Sequence, residues 1–146
     1  MLPLKYGQKI AFLSGGYGGG PPEDDLHFSI LQDKISNLEL LKPKSCGEWL
    51  DHIGSADVLV SGRFHHLVAA ASRGARSVSL PGNTPKNHAL CECLQLPPPI
   101  ALQPDDFEER LVDAFNSAEP VNRKMRRSIL RLAENNFAWR GGPSFA

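Results

Sequence analysis

The sequence predicts an α/β fold built on a parallel sheet of about five strands with helices on both faces. Three observations point there. Short apolar runs alternate with longer amphipathic stretches along the 146 residues, as expected of strands joined by crossover helices. The third run, Val58-Leu59-Val60, is apolar without alternation, the mark of a strand covered on both sides. Glycine-rich and polar segments follow the strands, so they fall on one edge of the sheet. No interior linker or internal repeat divides the chain, and residues 1–146 are read as a single domain.

Each element has a local reason. Residues 9–13 predict the first strand, followed by the turn Ser14-Gly15-Gly16-Tyr17-Gly18-Gly19-Gly20-Pro21-Pro22 and a helix over about 24–35. Asp24 and Asp25 suit the positive start of that helix. Residues 38–41 form the second strand. Ser45 then caps a helix through Ile53, with Glu48 at capping-box spacing. After a third strand at 57–60, a helix begins near Phe64, carries Leu67, Val68 and Ala71, and stops at Gly74. Residues 77–80 make strand four, and Thr84 caps a helix from Pro85 to about Leu94. Pro97-Pro98-Pro99 leads to a short fifth strand at 100–102, and Asp105 or Asp106 opens a helix to about Ser117. Beyond Pro120 comes a basic final helix over about 121–139, with Met125, Ile129, Leu132 and Phe137 at helical spacing.

Composition narrows the class. Apolar residues make up 41% and charged residues 22%, enough for a packed core and unlike a disordered chain. No apolar run approaches the ~20 residues that cross a bilayer. Met1-Leu2-Pro3-Leu4 lacks the charged start and apolar stretch of a signal peptide, and the three cysteines, Cys46, Cys91 and Cys93, suit a reducing compartment. A cytoplasmic protein is expected. Sixteen basic residues balance sixteen acids, but the segment 121–140 holds six basic residues against Glu134, a charge of +5 that the rest of the chain offsets. A solvated face is one reading of that helix, and contact with an anionic membrane at its inner face is another. No nucleic-acid motif accompanies it, so no nucleic-acid partner is expected.

The strand-to-helix loops carry the candidate chemistry. Ser61, Gly62 and Arg63 bring small residues and a guanidinium to a helix N-terminus, a ready anion site. His65 lies in the same first turn, either as a general acid near a bound anion or as a packing residue at a helix start. Gly15, Gly16, Tyr17 and Gly18 belong to a loop with neither dinucleotide nor Walker spacing. Asn83 and Lys86 follow the fourth strand, where the lysine either reaches the same anion or is solvated. His88, Cys91 and Cys93 make a poor metal site, since Cys91 and Cys93 are two apart on a predicted helix and point to different faces with no second ligand pair nearby; buried thiols are expected, and His65-His66 has no partners for zinc, so no metal is expected.

Several of these residues together resemble a known family. Trp49-Leu50-Asp51-His52-Ile53, Ala56-Asp57-Val58-Leu59-Val60, Ser61-Gly62-Arg63-Phe64-His65, Ala69-Ala70-Ala71, Gly74 and Lys86 resemble the polysaccharide pyruvyl transferases. The resemblance implies a Rossmann-like domain, one half of a two-domain GT-B architecture. It also implies transfer of a pyruvyl group from phosphoenolpyruvate to a saccharide of a cell-surface polysaccharide, without a further cofactor. Arg63 would then grip phosphate or carboxylate, and His65 would protonate the donor's methylene carbon or steady its phosphate. Asn83, Lys86 and the Gly15 loop would line the pocket. The other half of the cleft would come from a second α/β domain or from another copy of the chain. This sequence departs from the family at His66, where a small residue is common, and at Gly74-Ala75-Arg76, which replaces a glycine-x-proline. Two other functions fit the same architecture: a nucleotide-sugar glycosyltransferase donor domain and a non-catalytic assembly module.

Overall fold

A computed structural model describes residues 9–15, 22–103 and 105–135. Strands and helices alternate through them: β1 (Ile10–Leu13), α1 (Pro22–Gln32), β2 (Leu38–Leu41), α2 (Cys46–Ser55), β3 (Val58–Ser61), α3 (Phe64–Arg73), β4 (Arg76–Ser79), α4 (Lys86–Leu94), α5 (Phe107–Ser117) and α6 (Arg123–Asn135). The class is α/β, as the alternating pattern predicts.

The sheet differs from the expectation. Among the described residues, β1 pairs in parallel with β2, Ile10 opposite Leu38, and β3 pairs in parallel with β4, Val58 opposite Arg76. These are two separate two-stranded sheets and not one sheet of five strands. The expected fifth strand at 100–102 does not form. Ile100 donates its N–H to the Ser79 carbonyl at 2.9 Å, but Pro97, Pro98 and Pro99 have no N–H with which to continue a ladder.

Helices cover both faces of the second pair, because successive strand residues point opposite ways. Leu59 packs with Ile53, Ala69, Ala70 and Ala75 beneath α2 and α3. Its neighbour Val58 faces the other way, against Val78, Ile100, Ala118 and the α5 residues Phe107, Leu111 and Ala114. A third cluster of Ala71, Leu94 and Val121 seats Met125 and Ile129 of α6. The small side chains of Ala69-Ala70-Ala71 let α3 sit close to its neighbours, and Ala70 is fully buried.

The helix ends show which local signals operate. Ser45 Oγ accepts the Glu48 N–H at 3.2 Å, while the Glu48 carboxylate takes the N–H of Lys44 rather than of Ser45, a capping box displaced by one residue. Gly74 ends α3 at φ +73°, a conformation that strains other residues. Thr84 does not cap α4. Pro85 occupies that position without a side-chain bond, its ring fixing φ near the helical value. Two arginines serve helix C-termini: Arg76 donates to the Ala118 and Phe115 carbonyls at 2.8 and 3.3 Å, and Arg126 donates to the Ser72 carbonyl at 2.7 Å. Arg126 is therefore turned inward against Gly74 and α3, whereas Arg123, Lys124, Arg127 and Arg131 are exposed. Of the expected thiols, Cys91 is buried but Cys93 is exposed, since positions two apart on a helix face different ways. No helix of the described residues is long and apolar enough to cross a membrane. The expected final-helix position Phe137 lies outside the described residues.

Candidate functional site

Only Gly62 and Arg63 separate the end of β3 from the start of α3. A side chain at 62 would place its first carbon 2.7 Å from the Pro81 carbonyl oxygen, so the loop after β4 presses directly on this turn. Asn87, buried at the start of α4, fastens the two loops by donating to the Gly62 and Leu80 carbonyls at 2.7 and 3.0 Å. Ser61 Oγ accepts the Arg63 N–H at 3.1 Å and meets His66 Nδ1 at 3.2 Å. Arg63 is extended at the cap and offers α3 no side-chain acceptor. The first-turn N–H groups of Phe64, His65 and His66 thus have no acceptor among the described residues, leaving the positive end of α3 open.

A second group closes on the same turn from β1. Ser14, at the end of that strand, receives the Trp49 indole N–H on its carbonyl at 3.3 Å and donates its own N–H to Leu41. Its hydroxyl and the Gly15 N–H both donate to the buried Asp24 carboxylate, at 3.2 and 2.6 Å. The same carboxylate pairs with Arg63 through Nη2. Gly15 lies under the Arg63 guanidinium, where an added side-chain carbon would overlap Nη1. Arg63 is nonetheless 43% exposed, and Nη2 is the guanidinium nitrogen that Asp24 engages, so donors remain for a ligand.

Of the expected site residues, Gly15, Ser61, Gly62 and Arg63 are brought together here. Gly16, Tyr17 and Gly18 lie outside the described residues. His65 is exposed, with its ring edge-on to Phe64 at 5.6 Å. Asn83 and Lys86 are exposed on the neighbouring loop, where neither bonds to the Arg63 turn among the described residues. His88, Cys91 and Cys93 form no cluster: among the described residues no three His, Cys, Asp or Glu side chains converge as a metal site would require.

Two members of the site are not apparent from motif spacing. Asp24 is read from the sequence only as a helix-start acid, and nothing local marks its pairing with a residue 39 positions away. His66 is the second. Its ring lies edge-on to Trp49 at 5.4 Å and is 5% exposed. Burial, and next the Arg63 charge, lower its pKa to about 4; Asp24 opposes that shift and His65 adds to it. The helical stripe does carry the distinction: His65 shares a face with the exposed Val68 and Ser72, whereas His66 shares one with the buried Ala69 and Ala70.

The assembled chemistry could hold an oxyanion: a half-exposed guanidinium, three N–H groups without an acceptor among the described residues and a helix dipole, backed by one buried carboxylate. Protein-family models, curated proteins and solved structures all return no match to this chain.

Proposed function

We propose that this chain is a polysaccharide pyruvyl transferase-like domain, and that the Arg63 turn holds the phosphate or carboxylate of phosphoenolpyruvate. The observation that carries the reading is the open start of α3 beside the half-exposed Arg63 guanidinium. That pairing matches the role the Ser61-Gly62-Arg63-Phe64-His65 resemblance assigns to it. Parallel strand pairs joined by crossover helices, with the Ile100 segment bonded alongside β4, support a Rossmann-like half of a GT-B architecture.

In this reading Arg63 and the α3 N–H groups neutralise the donor's oxyanion. His65, solvent-facing in the same turn, delivers a proton to the methylene carbon as one saccharide hydroxyl adds to the adjacent carbon; a second hydroxyl of the sugar then replaces the departing phosphate to close the ketal, one hydroxyl proton returning to His65 and the other leaving on phosphate. Asn83 and Lys86 line the neighbouring wall. The acceptor surface belongs to a second α/β domain or to a second copy of this chain. In this reading the exposed Arg123, Lys124, Arg127 and Arg131 are the charges that would meet an anionic membrane, in support of a reaction at its cytoplasmic side.

Titration of the chain with phosphoenolpyruvate tests the donor site. Arg63→Ala should weaken binding by roughly tenfold or more, the scale of one charge-assisted hydrogen bond. Incubation of the two-domain assembly with phosphoenolpyruvate and surface glycans should release phosphate. Absence of release, with tight binding of a nucleotide sugar instead, would overturn the reading in favour of a glycosyltransferase.

A further inference from the structure

We propose that His66 is a positioning residue for Arg63, acting through the Ser61 hydroxyl. The inference rests on the anion-binding reading of the Arg63 turn. Its starting point is proton accounting at one oxygen. Ser61 Oγ accepts the Arg63 N–H at 3.1 Å, which uses one lone pair, and its single proton has one acceptor within reach among the described residues, His66 Nδ1 at 3.2 Å. Nδ1 is therefore unprotonated and Nε2 carries the hydrogen. With its proton drawn to the imidazole, the hydroxyl presents its lone pair to the Arg63 N–H. The bond closes the corner between β3 and α3, from which the guanidinium projects.

A purely packing role does not account for this histidine. Nε2 is buried without a partner among the described residues, a cost that leucine or methionine in the same space would avoid. What the imidazole supplies in return is the Nδ1 acceptor. The charged and titratable groups around it are Arg63 at the cap, Asp24 from α1 and His65 beside it, with Trp49 of α2 contributing only its ring edge. Arg63 opposes a second positive charge here, in keeping with a neutral ring.

Three variants of the full chain separate the alternatives, because side-chain length decides which imidazole nitrogen an amide imitates. His66→Asn places an oxygen near Nδ1, His66→Gln extends toward Nε2, and His66→Leu keeps only bulk. The readouts are hydrogen exchange of the Arg63 amide, the dissociation constant for phosphoenolpyruvate, and the imidazole tautomer from long-range nitrogen–proton spectra. The wild type should show the Nε2–H tautomer. His66→Leu should lose about tenfold in both Arg63 amide protection and ligand affinity, the effect of one lost hydrogen bond. His66→Asn should restore both to within about threefold, and His66→Gln should not. Ser61→Ala should reproduce the leucine variant, with no further loss in the double variant. An Nδ1–H tautomer, or equal protection of the Arg63 amide in His66→Leu and wild type, would overturn the proposal. If His66→Leu fails to fold, the Asn and Gln variants still decide it. If the wild type binds no phosphoenolpyruvate, the transferase reading fails, while amide exchange and tautomer continue to decide what His66 does.

Discussion

The two strand pairs are held by opposite kinds of interaction. Around β3 and β4 the buried side chains are mainly apolar: Ile53, Leu67, Ala69, Ala70, Ala71, Val78 and Leu94 fill the space between helices. In the β1, α1 and β2 unit, the fully buried described residues are Ser14 and Asp24, both polar. None of its described apolar residues is fully buried: Phe12 touches Phe28 and Leu13 packs against the Ile53 cluster, while Leu26 and Ile30 lie open on α1. One half is therefore stabilised by apolar burial that any close-packed core supplies. The other is tied on by the Leu13 contact together with hydrogen bonds and charge centred on Asp24 and Arg63, so in this region the proposed site and the structural anchor share atoms.

The largest way to break this contrast is Asp24→Ala. It strands the Ser14 hydroxyl, the Gly15 N–H and Arg63 together, and should cost about 4 kcal/mol. Native-state hydrogen exchange should show β1 and β2 losing protection first, with β3 still protected; uniform loss would mean that the halves are not distinct. Next comes pH. The His66 pKa in the fold, about 4, lies below its ordinary value of 6.5, so the fold favours the neutral ring. That contribution is complete above pH 6.5 and is lost as pH falls toward 4, about 3 kcal/mol at most, and His66→Asn should flatten the stability profile over that window. Gly62→Ala should cost about 2 kcal/mol by forcing the Pro81 backbone away, read as a lower midpoint in urea.

Smaller effects sharpen the comparison. Arg126→Glu should cost about 1–2 kcal/mol through loss of the Ser72 bond at the end of α3. Arg127→Glu, on the exposed side, should stay within about 0.5 kcal/mol. Liposome association divides the same pair the other way, with Arg127→Glu weakening it if the exposed basic residues meet lipid. Leu26→Ser with Ile30→Ser should change stability least, within about 0.5 kcal/mol; a large loss would place hidden apolar packing in the β1 half.

Local chemistry made most elements legible in advance. The Ser45 cap, the stop at Gly74 and the run at residues 38–41 act within a few residues and appear as expected, while the Glu48 carboxylate settles one residue away, on Lys44. Sheet assembly was less legible, because pairing depends on which N–H groups are free to meet at long range; the prolines before Ile100 removed three of them. At the site, the turn of Ser61, Gly62 and Arg63 was readable because its residues are contiguous. Its partners were not, since the Asp24 carboxylate arrives from another helix. Choosing between His65 and His66 required the helical face rather than the motif, which names only the first.

The Asp24 carboxylate on Arg63 also sets a selection threshold. A tethered acid competes for the guanidinium at an effective concentration that no free chloride or acetate matches. A simple anion would meet only the guanidinium donors that Asp24 leaves over, in a field the carboxylate has already weakened. A ligand bearing a second oxyanion can engage the α3 N–H groups as well and leave the internal pair in place. Under the proposed function, the turn would thereby discriminate against abundant small anions before any substrate-specific wall is reached.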